Sequence, residues 1–167
     1  IKHTPLFPHH ELVATRLLRE PTLLAEIPPH PNLVSVIETI RTPGHFYLVE
    51  EFLDGYVTLE ALIGRMNINT PTSSAHKLPH DAAEKIFEQL VLALYAIHKP
   101  LRVCHRDVKP ENVLVHPEPL QLKLLDFGLA THFSRSHAKL TTCCGSPAFH
   151  CPEIVTALSK PLGSVSY

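Results

Sequence analysis

Apolar residues recur at helical spacing in three stretches of the chain, and shorter apolar runs between them indicate strands. His9 to Ile27 predicts a first helix, which Pro21 should kink or interrupt because proline has no backbone N–H. A short second helix is predicted around Thr58 to Arg65. The most regular stripe lies between His80 and His98 and consists of Ile86, Leu90, Ala93, Leu94 and Ile97.

Strands are predicted where β-branched, aromatic and leucine residues cluster between turn residues. Asn32 to Ile40 and His45 to Phe52 flank Thr42-Pro43-Gly44, which predicts a hairpin. Val113 to Val115 and Leu120 to Leu125 flank a His-Pro-Glu-Pro turn and predict two buried strands. The polar stretches at 67–79 and 131–142 are predicted to be a solvent loop and a mobile segment.

The composition is 44% hydrophobic and 19% charged over 167 residues, which is typical of a globular domain with one core. A formal net charge of -1 provides no basic surface, so we expect no nucleic-acid partner. No run approaches the roughly 20 apolar residues that a membrane-spanning helix needs. Four cysteines are too few for a disulfide framework, so we expect an intracellular protein, cytoplasmic or alternatively nuclear. Thirteen histidines lack metal-ligand spacing, which argues against a zinc site.

The segment CHRDVKPEN, residues 104–112, concentrates charge between the long helix and the next strand. It holds two acids, three bases and an amide, and buried charges are costly unless they are paired. Such a segment indicates chemistry rather than stability. Asp126-Phe127-Gly128 begins fourteen residues after Asn112, and GSPAFHCPE follows at 145–153.

In this order the three segments resemble those of eukaryotic-type serine/threonine protein kinases. They correspond to the HRDxKxxN catalytic loop, the metal-binding DFG segment and the GT/SPxYxAPE end of the activation segment, with Cys151 in place of the usual alanine. The resemblance implies that Asp107 accepts the hydrogen bond, and later the proton, of the substrate hydroxyl. Lys109 would neutralise the γ-phosphate, while Asn112 and Asp126 would bind Mg²⁺ through hard oxygen ligands.

The beginning of the chain is similar to another part of the same family. Ile1-Lys2 resembles the end of the VAIK strand, whose lysine holds the α- and β-phosphates of ATP and pairs with a helix glutamate. Glu20 is the candidate partner, with Glu11 and Glu26 as alternatives because Pro21 is awkward in a helix. HPNLV at 30–34 resembles the turn that follows this helix.

The stretch YLVEEFLDG, residues 47–55, resembles the strand and hinge that bind adenine. The resemblance implies recognition by the Glu51 carbonyl and the Leu53 amide, with Leu114 as the floor of the pocket. Glu50 falls at the gatekeeper position, which is usually apolar, and a carboxylate beside adenine needs a partner or water.

The resemblance also implies regulation and substrate class. Arg106 would pair with a phosphate on the activation segment, for which Thr142 is the expected site and Thr141 the less favoured one. Lys109 and Ser146 are the choices typical of serine/threonine kinases, so a protein with a Ser or Thr acceptor is the expected substrate.

We therefore expect a partial α+β, two-lobed protein-kinase-like fold. Residues 1–52 are expected to form the remainder of the small lobe and the start of the hinge. Residues 53–167 are expected to form the end of the hinge and part of the helical lobe. The chain is expected to be truncated at both ends and inactive in isolation, since the glycine-rich loop would precede Ile1 and further helices would follow Tyr167. The expected function is ATP- and Mg²⁺-dependent protein serine/threonine kinase. The alternatives are a pseudokinase or interaction scaffold, and a small-molecule phosphotransferase, which the segment at 145–153 disfavours because it serves protein substrates.

Overall fold

The computed structural model describes residues 1–5, 11–66, 78–133, 140 and 142–158, without the side chains of 3–5, 11–18 and 66. Most of the predicted loop at 67–79 and of the predicted mobile segment at 131–142 lies outside the described residues. Within them, four α-helices form: α1 Glu11–Glu26, α2 Leu59–Met66, α3 His80–His98 and α4 Pro152–Leu158. No described helix is long and apolar enough to cross a membrane.

The first sheet is antiparallel and has the order β1-β3-β2. Its strands are β1 Lys2–Pro5, β2 Val36–Arg41 and β3 His45–Glu50. The predicted hairpin between β2 and β3 is confirmed, and its turn is closed by the Thr42 amide, which donates to the His45 carbonyl at 2.8 Å. The first predicted strand is too long, because β2 begins four residues after Asn32.

Residues 32–34 pair with a different part of the chain. The Val34 amide donates to the Leu124 carbonyl at 3.1 Å, and the Leu124 amide donates to the Asn32 carbonyl at 2.9 Å. Leu33 and Leu124 thereby form a parallel bridge. The chain between α1 and β2 is therefore attached to a strand that follows residues 104–112, which we call the catalytic segment after their predicted role. This attachment explains why residues 32–34 do not extend β2.

Helix α1 continues through Pro21, so the predicted interruption is wrong. Proline inside a helix removes one backbone hydrogen bond, and its ring crowds the carbonyl group four residues earlier. Leu23 and Leu24 in the following turn are buried in the core, and Glu20 is buried beside Lys2. We infer that these contacts outweigh the lost hydrogen bond.

A second sheet carries the centre of the molecule and has the order β4-β6-β7. Its strands are β4 Val57–Thr58, β6 Val113–Val115 and β7 Leu122–Leu124. The two predicted buried strands are confirmed, although β7 is shorter than predicted because Leu120 has a positive φ of 54° in the turn. A further pair consists of β5 Val103–Cys104 and β8 Thr131–His132, so the start of the predicted mobile segment is a strand instead.

Helix α3 has the predicted bounds, and its stripe packs on the core. Gln89 on this helix joins it to the second sheet through both ends of its amide group. Its oxygen accepts hydrogen bonds from the Asn32 side chain at 3.0 Å and the Leu122 amide at 2.9 Å. Its nitrogen donates to the Lys85 carbonyl at 3.0 Å and the Leu120 carbonyl at 2.7 Å. Gln89 thus holds helix α3, the turn before β7 and the second sheet in one arrangement.

Candidate active site

His105 anchors the catalytic segment through its buried imidazole ring. Its ring is 1% exposed and packs edge-on against Phe127, with 4.9 Å between ring centroids. Its Nε2 donates to the Leu125 carbonyl at 2.8 Å, and its Nδ1 accepts from the Asp107 amide at 3.3 Å. Burial lowers the pKa of His105, and the hydrogen bond to Leu125 offsets only part of this effect. A neutral ring with the proton on Nε2 therefore fixes the backbone at Asp107.

The Asp107 carboxylate is the centre of a polar cluster. Its Oδ1 accepts from the Ser146 amide at 2.8 Å, and its Oδ2 lies 3.0 Å from the Lys109 ammonium. The Asn112 side-chain nitrogen donates to Oδ2 at 3.2 Å and to the Asp107 carbonyl at 2.9 Å. Burial would raise the pKa of Asp107, but the hydrogen bonds from Lys109 and Ser146 outweigh it and lower the pKa. The carboxylate is therefore ionised and can only accept hydrogen bonds.

Lys109 connects this carboxylate to the activation segment. Its ammonium donates to the Ser146 hydroxyl at 2.7 Å, and Asp107 raises the pKa of Lys109. The two segments meet at Gly145, which has a φ of +98° and where a Cβ would lie 2.4 Å from the Arg106 carbonyl oxygen. Only glycine fits this approach without displacement of the backbone.

A second cluster surrounds Lys2. Its ammonium lies 2.8 Å and 3.0 Å from the two Glu20 carboxylate oxygens and 3.0 Å from Asp126 Oδ1. Burial would lower the pKa of Lys2, but Glu20 and Asp126 together outweigh it and raise the pKa. The structure selects Glu20 as the partner of Lys2, since Glu26 instead contacts His132 at 2.9 Å. The Glu11 side chain lies outside the described residues.

Asn112 and Asp126 carry the oxygen atoms predicted to bind a metal ion. The Leu125 amide donates to the Asn112 carbonyl at 2.9 Å, which ties the residue before Asp126 to the catalytic segment. Asp126 has a φ of 60° and an exposed side chain, whereas Phe127 next to it is buried. An amide oxygen and a carboxylate are ligands that fit a hard divalent cation.

The predicted hinge begins where β3 ends. The Glu51 amide donates to the Ser35 carbonyl at 2.9 Å, and the Glu51 carboxylate accepts from the Ser35 amide at 2.8 Å. The same carboxylate oxygen lies 2.7 Å from the Lys123 ammonium. Among the described residues, the Glu51 carbonyl and the Leu53 amide form no backbone hydrogen bond. Leu114 is partly buried in β6, opposite Lys123.

Sequence reasoning missed Lys123. The detectable signal was a lysine inside the apolar run LKLL, because lysine is almost never buried unless it is paired. Glu50, which the sequence places at the gatekeeper position, is half-buried at the end of β3. Burial and the charge of Glu20 raise the pKa of Glu50, while Lys2 lowers it.

Arg106, predicted to bind a phosphate, belongs to the segment that carries Asp107, and its side chain contacts the segment that carries Asp126. It has a φ of 68°, and its Nε donates to the Leu129 carbonyl at 2.6 Å. The Thr142 side chain is exposed. A contact between Arg106 and a phosphate on Thr142 stays a prediction.

Comparison with known proteins agrees with this geometry. Residues 1–165 match the family model described as protein kinase domain. The chain is 37% identical over 157 residues to the serine/threonine-protein kinase ppk25 of Schizosaccharomyces pombe, covering 94% of this chain and 34% of that protein. It is 36% identical over 145 residues to the human SNF-related serine/threonine-protein kinase, covering 87% and 18% of the two chains. It is 36% identical over 148 residues to the CBL-interacting serine/threonine-protein kinase 15 of Arabidopsis thaliana, covering 87% and 30%.

The chain spans at most about a third of the length of these relatives. Its mixed helices and antiparallel sheets confirm the predicted α+β class and agree with a partial two-lobed kinase fold. Members of that family in general use ATP, a divalent metal ion and protein substrates. Since the family model covers nearly all of the sequence, the chain belongs to the protein kinase domain family.

Proposed function

We propose that the protein containing this chain is an ATP- and Mg²⁺-dependent serine/threonine kinase that phosphorylates protein hydroxyl groups. The observation that carries the proposal is the joint engagement of Asp107 by Lys109 and Ser146. These contacts place an ionised acceptor, a cation and the activation segment within hydrogen-bonding distance of one another. The relatives are named as serine/threonine-protein kinases, which supports the same activity.

Asp107 would orient the substrate hydroxyl and take its proton late in the transfer, because its lowered pKa makes it a weak base early in the reaction. Lys109 would move from its present contact toward the transferred phosphoryl group as negative charge develops there. Ser146 would retain Asp107 in place while Lys109 is engaged. Phosphoryl transfer depends mainly on positioning and charge, which is what these residues can provide.

The second cluster would bind the nucleotide. Lys2 would hold the α- and β-phosphates, and Glu20 would orient the lysine. Asn112 and Asp126 would hold Mg²⁺, which would neutralise phosphate charge when bound. For the base we propose backbone recognition at 51–53, where the Glu51 carbonyl would accept and the Leu53 amide would donate, with Leu114 beneath.

We further propose that residues 1–52 and 53–167 belong to the small and large lobes. The first sheet lies entirely in the former range, and the sheets that carry the catalytic segment lie in the latter. Phosphate on Thr142, paired with Arg106, would activate the enzyme by ordering the activation segment.

The full-length protein tests the activity. Asp107→Asn and Asp126→Asn should each lower the rate of Ser/Thr peptide phosphorylation by about 10²-fold or more. Asp81→Asn changes an exposed aspartate on α3 and serves as the matched control. Wild-type activity in either of the first two variants would refute the assigned roles. ATP binding without any transfer by the wild type would favour the interaction scaffold instead.

A further inference from the structure

Lys123 lies in the middle of β7, between two leucines that are fully buried. Lys123 itself is only 8% exposed. An ammonium group persists in such a place only when it is paired and hydrogen-bonded. The roles proposed above for Lys2, Lys109 and the metal ligands do not use it, so its presence requires another explanation.

The ammonium of Lys123 has two acceptors from the chain that leads into and out of the first sheet. It donates to Glu51 Oε1 at 2.7 Å and to the Leu33 carbonyl at 3.2 Å. The Ser35 amide donates to the same Glu51 oxygen, and the Glu51 amide donates back to the Ser35 carbonyl. Glu51 is thus held by both its side chain and its backbone, and Lys123 is the cation that balances its charge.

These contacts fix Glu51 in the ionised state. Burial would raise the pKa of Glu51, but Lys123 and Ser35 outweigh it and lower the pKa. Without Lys123, the partly buried Glu51 carboxylate would lose its cationic partner. Movement of residues 51–53 would then be the smallest change that hydrates this carboxylate again. The arrangement is therefore sensitive to the lysine charge rather than to its bulk.

The location of Lys123 connects three parts of the proposed nucleotide site. Its contact with Glu51 reaches the segment 51–53, and in the β6–β7 ladder it lies opposite Leu114. Asp126 follows it by three residues on the same stretch of chain. A single side chain thus joins the proposed base-binding segment to the strand that leads to the proposed metal ligand.

We propose that Lys123 is a positioning residue for the nucleotide: it acts through Glu51 to fix the backbone groups at 51–53 that bind the base. The inference rests on the proposed function, and within it Lys123 touches neither nucleotide nor substrate. A purely structural lysine would change stability alone, whereas a positioning lysine changes nucleotide affinity beyond any change in stability.

The test measures ADP binding by isothermal titration calorimetry with the full-length protein, together with its melting temperature. Lys123→Met should raise the Kd for ADP about tenfold, equivalent to about 1.4 kcal/mol. Glu51→Gln keeps the shape of the side chain, removes only the charge, and should raise Kd in the same direction. The double variant should bind no more weakly than Lys123→Met, because both changes break one interaction. If Lys123→Met does not fold, Glu51→Gln provides the same measurement.

Val115→Ala is the control, since it truncates a fully buried residue of the same sheet that pairs with Leu122 rather than with Lys123. It should lower the melting temperature and leave the Kd within about twofold. Three results would each overturn the inference. They are equal Kd values for Val115→Ala and both charge variants, additive effects in the double variant, and a wild type that does not bind ADP. A wild type that binds ADP but phosphorylates no peptide would refute the proposed activity, while the comparison of Kd values would still decide the role of Lys123.

Discussion

Gly145→Ala tests how closely the activation segment must approach the proposed catalytic residue Asp107. In Gly145→Ala the added Cβ would lie 2.4 Å from the Arg106 carbonyl oxygen, and a φ of +98° is unfavourable for alanine. The left-handed conformation alone costs a non-glycine residue about 1–2 kcal/mol. Both effects are relieved if residues 145 and 146 move away from the catalytic segment.

That movement breaks the hydrogen bond from the Ser146 amide to Asp107 Oδ1, which is 2.8 Å long. Hydrogen bonds to charged groups contribute about 1.5–3 kcal/mol, so kcat should fall by about 10- to 100-fold. Because Ser146 helps to lower the pKa of Asp107, the acid limb of the kcat profile should also move to higher pH.

The assay is steady-state peptide phosphorylation by the full-length protein as a function of pH. Gly44→Ala is the matched control, because a Cβ at Gly44 has no neighbour within 4 Å and its φ is not in the left-handed range. If Gly145→Ala retained a kcat within twofold of Gly44→Ala, the proposed contact between the two segments would not matter for catalysis.

Three further predictions concern other charged groups. Lys2→Met should lower kcat/KM for ATP by about 10²-fold through loss of the proposed phosphate contact, whereas the exposed control Lys85→Met should not change it. Glu50→Gln should raise the urea midpoint at pH 7, because the raised pKa of Glu50 means that its ionised carboxylate destabilises the folded protein. The gain should vanish below about pH 4, where Glu50 is protonated in the unfolded chain too. A gain in urea midpoint that did not change with pH would contradict this cause. Phosphatase treatment should lower the peptide-phosphorylation activity of the wild type but not that of Thr142→Ala or Arg106→Ala. Activity unchanged by phosphatase in all three proteins would rule out activation by a phosphate on Thr142.

The fold was most predictable where one periodicity extends over many residues. The apolar stripe of α3 extends from Ile86 to Ile97, about three turns, and the helix has the predicted bounds, His80 to His98. Predictions failed where a distant partner decides the local structure. Residues 32–34 have strand composition, but they pair with Leu124, which lies about ninety residues further along the chain. Pro21 weakens α1 locally, and the burial of Leu23 and Leu24 decides the outcome.

The candidate site was likewise predictable where its residues are close in sequence, and less so where they are distant. The short motifs around Asp107 and Asp126 could be read directly, because their members are close in sequence. The choice of Glu20 over Glu26 as partner of Lys2 depends on the orientation of α1, which the sequence leaves open. Lys123 was missed for the same reason, since its partner Glu51 is seventy-two residues away.

Gln89 has a consequence for how this chain can vary during evolution. Both acceptor positions of its amide oxygen and both hydrogens of its amide nitrogen are in use. Glutamate, which differs by one atom and a single nucleotide change, would bring an acceptor against the carbonyl oxygens of Lys85 and Leu120. Leucine would match the volume and leave those carbonyls and the Leu122 amide without this partner. Substitution of Gln89 should therefore be rare, although none of the catalytic and nucleotide-binding roles proposed above uses this residue.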